Sequence, residues 1–186
     1  MLLARLAAPV TTVAQFSGTQ FGVAGSGTFP VGDFHSNPIA AGYGFRIGWQ
    51  GMAFVSYRIP DTPVGLRLDG SYGVNTSHDL INGRRSDGKV QFLGWDADLT
   101  VRLPSPKRVK VYLLGGLGFH KVTLSFDGVV VGATPTNHAE NIGGGVTTGA
   151  LFFEARYVHV DGWGVTFTTW DFVSVAAGLR LGGSSL

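Results

Sequence analysis

The stretch Gln91-Phe92-Leu93-Gly94-Trp95-Asp96-Ala97-Asp98-Leu99-Thr100-Val101-Arg102-Leu103 decides the fold. Leu93, Trp95, Ala97, Leu99, Val101 and Leu103 form one set of alternate positions, and all are apolar. The other set, Phe92, Gly94, Asp96, Asp98, Thr100 and Arg102, holds every charge. Wound as a helix, the stretch would scatter Asp96, Asp98 and Arg102 over different faces; extended, it gathers them on one. The stretch is predicted to be a β-strand.

The same period of two recurs along the chain. Leu68, Gly70, Tyr72 and Val74 alternate with Arg67, Asp69, Ser71, Gly73 and Asn75. Clusters of turn residues divide the chain into eight expected strands, near 18–29, 42–58, 64–75, 90–103, 109–126, 139–147, 151–159 and 170–182. The sixth is the faintest, because Gly143, Gly144 and Gly145 erase its alternation.

The connections sort by length. Pro30–Ala41, Thr76–Lys89, Asp127–His138 and Val160–Thr169 are long, and Ile59–Pro63, Pro104–Arg108 and Thr148–Ala150 are short. An up-and-down meander of this kind treats its two ends differently, as barrels of the bacterial outer membrane do. Eight strands close around a space that side chains alone fill. Trp49 and Trp95 are too bulky to share it, so the apolar face, with Phe45, Ile47, Trp49, Leu66, Leu68, Leu113, Leu117, Phe153, Val175 and Leu179, is expected outside. The polar face, with Arg46, Gln50, Arg58, Arg67, Asp69, Asp96, Asp98, Arg102, Glu154, Arg156 and Arg180, is expected inside. The predicted fold is an all-β, eight-stranded antiparallel up-and-down β-barrel, inside-out, with an apolar exterior and a polar lumen.

Composition agrees. The 186 residues suit one domain. The 29 glycines are roughly twice the usual ~7% share. Charged residues make up 14%, against ~25% in soluble domains, so much of the surface is expected to avoid water. The net charge of +2 is scattered, which argues against nucleic acid as a partner. With no cysteine there is no disulfide framework, thiolate metal site or Cys nucleophile. No run is apolar enough for a transmembrane helix.

Aromatics fall towards the strand ends. Phe29, Tyr43, Phe45, Tyr72, Phe119, Tyr157 and Trp170 lie towards the long loops, and Phe21, Tyr57 and Phe153 towards the short turns, as in interfacial girdles.

Five short motifs follow in order: Phe29-Pro30-Val31-Gly32-Asp33-Phe34, Val64-Gly65-Leu66-Arg67-Leu68-Asp69-Gly70, Tyr112-Leu113-Leu114-Gly115-Gly116-Leu117-Gly118, Phe153-Glu154-Ala155-Arg156-Tyr157 and Ala177-Gly178-Leu179-Arg180-Leu181. With them the chain, from about Gln15 to Gly182, resembles the small outer-membrane β-barrel proteins related to the OmpA and OmpX barrel domains. The resemblance implies a bacterial outer-membrane protein in contact with lipid or detergent. Where that family usually ends on an aromatic, this chain has Leu181, followed by Gly182-Gly183-Ser184-Ser185-Leu186.

Asp69, Asp96 and Asp98, with Arg46, Arg67, Arg102, Glu154, Arg156 and Arg180, form the one dense polar constellation. Buried charges must be paired, so it is expected to be a salt-bridged lumen plug rather than an ion path or an acid–base site. His35, His78 and His138 fall in expected loops and His159 near a strand end. With His120 they show no metal-ligand spacing and are expected to be scattered and solvent-exposed. The glycine runs lack the helix onset and Lys-Ser/Thr of a phosphate loop. Arg84, Arg85, Asp87 and Lys89 form an expected solvated loop tip. No metal, cofactor or catalytic set is predicted.

Residues 1–15 are read as a signal remnant or a retained extension, 16–182 as the barrel and 183–186 as a tail. Two roles follow. One is a non-enzymatic outer-membrane barrel with a closed, charged lumen and a structural or surface-interaction task. The other is a secreted, extracellular barrel that polymerises with other copies of itself, using Pro9, Val10 and Val13 in an extended arm.

Overall fold

In the computed structural model, residues 18–35, 44–81, 84–106, 108–133, 136–162 and 169–182 are described, the side chains of Asp33 and of residues 78–86 excepted. The strands are β1 (Thr19–Val31), β2 (Gly48–Arg58), β3 (Val64–Ile81), β4 (Arg84–Leu103), β5 (Lys110–Phe126), β6 (Val129–Ala133), β7 (Asn137–Thr148), β8 (Leu151–Asp161) and β9 (Thr169–Leu181). All pairings between them are antiparallel. β1 pairs with β9, from Phe21 opposite Leu181 to Val31 opposite Asp171, and so closes the cylinder. Eight strands make the barrel, in ring order β1-β2-β3-β4-β5-β7-β8-β9.

The expected faces hold. Trp49, Trp95 and Leu99 are 56%, 66% and 50% exposed on the outside, whereas Arg67 and Asp96 are 4% and 7% exposed within. Antiparallel closure satisfies the backbone inside the ladder, which is what lets strands cross a lipid phase. Among the described residues, no helix is long and apolar enough to cross a membrane.

Four local expectations are corrected. The second strand, expected from residue 42, begins at Gly48 as β2, and residues 42 and 43 lie outside the described residues. Gly44 has a φ of 73°, and Phe45 makes only an isolated bridge with His35. Outside a ladder the period of two no longer fixes a side chain's face, so Phe45 turns inward and is fully buried, while Arg46 and Ile47 are both exposed. Trp170, expected in the outer girdle, is also inside, at 3% exposure. The long connection expected at Thr76–Lys89 is mostly ladder, with β3 and β4 paired out to Ile81 and Arg84.

The fourth correction is β6. Asp127 (φ 48°) and Gly128 (φ 81°) form a two-residue turn with both residues left-handed, the geometry that matches strand twist in hairpins. β6 therefore folds back on β5 and continues along the same edge of β5 beyond β7. Its Val129, Val130 and Val131 are exposed. A short 3-10 turn, Gly32–Phe34, starts the first long connection and places Phe34 over the lumen.

Candidate functional site

The lumen is the densest assembly of polar side chains among the described residues, and it is layered. Nearest the long loops lies an aromatic layer. Phe34 packs on Phe45, Phe92 and Trp170 with ring centroids 5.2, 5.7 and 5.3 Å apart, and Phe92 packs on Phe172 at 5.5 Å. Val90, Val122, Val158 and Val160 complete this apolar end. The lumen is thus charged only below it. Beneath the rings, the Gln50 side-chain oxygen accepts hydrogen bonds from Ser26 (3.3 Å) and Ser174 (3.2 Å).

The ionic layer comes next. Arg67 Nη1 lies 2.7 Å from Glu154 Oε2, and Arg67 Nε lies 3.1 Å from Asp69. Arg156 meets three carboxylates: Glu154 at 2.6 Å, Asp69 at 3.0 Å and Asp98 at 3.1 Å. Tyr112 donates to Glu154 at 2.6 Å, and Asn141 donates to Asp98 at 2.9 Å. His120 lies 3.2 Å from Asp96. The guanidinium of Arg67 also stacks 3.7 Å from the centre of the Phe54 ring. All six charged members, Arg67, Asp69, Asp96, Asp98, Glu154 and Arg156, are buried and paired, as the cost of burying charge requires.

Glycines make room for this cluster. A Cβ at Gly116 would strike Asp98, and one at Gly118 would strike Asp96. At Gly94 it would strike the His120 ring, and at Gly145 the Tyr112 hydroxyl. The glycine runs that blur the alternation of the fifth and sixth expected strands are therefore packing clearances for large lumen side chains.

Of the nine residues expected in the network, those six assemble. Arg102 and Arg180 do not join; they are half-buried and line the short-turn mouth. Arg46 lies exposed outside, for the reason given above. His120 corrects the expectation of exposed histidines, being 1% exposed. Tyr112, Asn141 and His120 were missed as members. Parity carried the signal for two of them: from Asp98, the opposed Gly116 fixes the inward set of β5, which includes Tyr112 and His120. The extended arm with Pro9, Val10 and Val13, and the tail 183–186, lie outside the described residues, as do the side chains of Arg84 and Arg85.

A second polar group sits at the long-loop rim. His159 Nδ1 lies 2.7 Å from Asp171, to which Thr169 donates at 3.0 Å. A hydrolytic triad needs a hydroxyl on the base. Here the neighbouring hydroxyl engages the acid instead, so the dyad has no activated nucleophile among the described residues. Nor do the described residues hold a group of three or more potential metal ligands.

The family model of the outer membrane protein beta-barrel domain matches residues 1–181. The chain belongs to this family. Its place is accordingly the bacterial outer membrane; in barrels of this kind short turns face the periplasm and long loops the outside. None of the curated proteins matches the sequence. Among solved structures, the barrel is similar to Neisserial surface protein A, at 18% identity and a TM-score of 0.63 over 89% of this chain and 97% of that one. It is also similar to Ail, the attachment invasion locus protein of Yersinia pestis, in complex with the heparin analogue sucrose octasulfate, at 14% identity and a TM-score of 0.54 over 89% and 99%. A third similar structure is the outer membrane enzyme PagL, at 13% identity and a TM-score of 0.51 over 87% and 99%. At these identities the likeness concerns the fold.

Proposed function

We propose that this outer-membrane barrel is a closed, non-enzymatic protein with a structural or surface-interaction role, its apolar belt covered by lipid. The carrying observation is the pair of cross-lumen ion pairs, Arg67–Glu154 and Arg156–Asp69, beneath the aromatic layer. Together they leave, in mid-lumen, a cavity of about 20 Å³ beside His120 and Asp96, room for about one water. A solute path would need to break both layers. Thr169, the hydroxyl beside the His159–Asp171 pair among the described residues, donates to the acid rather than lying on the imidazole, which supports a non-catalytic role. The exposed valines of β6, on the outer side, offer apolar contact surface of a kind associated with partner binding.

Reconstitution in planar bilayers tests the closed state. The expected outcome is no steady conductance from protein that migrates as a folded, heat-modifiable species. A stable open level from such protein would sink the reading. For the surface role, cells displaying the barrel are compared with cells in which Val129, Val130 and Val131 are replaced by serine. Equal attachment of both to host matrix would remove the support that the hairpin gives.

A further inference from the structure

The short-turn mouth holds cations that have no ion-pair partner among the described residues. Arg58, Arg102, Lys110 and Arg180 line one cavity of about 70 Å³, walled also by Thr100 and Tyr112. Among the described residues, no carboxylate lines it. None of the four makes an ion pair or side-chain hydrogen bond among the described residues. Arg58 and Arg102 are close enough to repel one another; Arg102 and Arg67 oppose the charge on Arg180, and Glu154 favours it from a distance. The Nε of Arg180 is buried without a partner. The carboxylates just above are in direct contact with Arg67 and Arg156, so none of them makes an ion pair with the four mouth cations.

Like charges gathered at a half-buried mouth destabilise one another, and a buried donor with no acceptor adds to that cost. A counter-ion removes both costs. The mouth opens to the periplasm and is small, which limits the occupant to a compact anion or a headgroup at the rim. Three guanidinium forks and an ammonium call for several acceptor oxygens on one centre with more than one negative charge. That is the chemistry of phosphate rather than of a single carboxylate or a halide.

We propose that the periplasmic mouth is a phosphate-binding site held by Arg58, Arg102, Lys110 and Arg180. The source of the phosphate is either the soluble ion or an anionic phospholipid headgroup of the inner leaflet. This assignment stands apart from the closed-lumen reading, since the site lies below the ionic layer.

The test uses the full chain folded in a phosphate-free glucoside detergent. In one arm it is titrated with inorganic phosphate, and in the other the micelles are doped with phosphatidylglycerol. Binding is read by 31P line broadening and by the midpoint of thermal unfolding, with chloride and acetate at matched ionic strength as controls. Saturable broadening and a raised midpoint are expected in at least one arm, and the arm that responds names the source. The variant Arg102→Gln/Arg180→Gln, shown folded by heat-modifiable migration, is expected to bind at least about tenfold more weakly, the loss of two charge-assisted contacts. Should that variant misfold, Lys110→Gln alone serves, with weaker binding expected. No response in either arm overturns the assignment. So does an equal response to acetate or chloride, or a variant that binds as tightly as the parent.

Discussion

Arg67 and Glu154 meet at 2.7 Å although their strands, β3 and β8, stand on opposite walls of the cylinder. Four places separate them around the ring either way. The lumen at this level is therefore no wider than two long side chains laid end to end. Replacing Arg67 by Met leaves Glu154 with a lost partner in a closed interior, and about 3–5 kcal/mol of stability is expected to go. The double change Arg67→Met/Glu154→Leu is expected to cost less than the sum of its parts. Urea titrations in detergent measure both. A single-variant loss below about 1 kcal/mol would show that the pair is incidental.

A contact between opposite walls exists only once the β1–β9 seam is closed. It is then absent from any open intermediate, and its loss is expected to appear in the unfolding rate, with insertion into vesicles little changed. Stopped-flow or gel-shift kinetics on Arg67→Met decide it, and an equal slowing of insertion would place the contact early.

Gly145 is the clearance that lets the Tyr112 hydroxyl reach Glu154. In Gly145→Val the branched side chain occupies that space and evicts the phenol. Overpacking together with the lost hydrogen bond is expected to cost about 2–4 kcal/mol. Adding Tyr112→Phe to the valine variant is expected to change little further, and a full additional loss would mean that the hydroxyl had found its partner regardless.

The belt is expected to grade charge by depth. Leu68 lies at the middle of the outward row of β3, and Tyr57 lies at its short-turn end on β2. Leu68→Arg is expected to cost about 2–4 kcal/mol in bilayers and Tyr57→Arg about 0–1. Equal costs would mean that the belt is not centred on Leu68.

Trp170 sits among Phe34, Phe45 and Phe92. Trp170→Ala is expected to lose about 3–5 kcal/mol through the cavity it leaves. Unchanged stability would show that this layer packs loosely.

How much of this was legible depends on where the ladder runs. Asp96, Asp98, Arg67, Asp69, Glu154 and Arg156 lie inside regular strands, where parity alone fixes the face, and all six are buried in the lumen. Phe45 and Arg46 lie beyond the start of β2, where parity carries nothing, and both were misplaced. β6 was missed for a different reason. Asp127-Gly128 between Phe126 and Val129 is a strong hairpin signal, but it was absorbed into a connection judged by length alone. His120 and Tyr112 shared the inward parity of β5, yet their roles depend on the clearances left by Gly94 and Gly145 on neighbouring strands. Such cross-strand clearance needs register, which one strand's pattern does not contain.

On the closed-barrel reading proposed above, the stacking order of rings above and ions below makes the lumen a blind well, stoppered at its long-loop end and wetted from the short-turn end. Anything small that reaches Glu154 or Asp98, a proton included, must climb from the periplasm past the arginines at its lip.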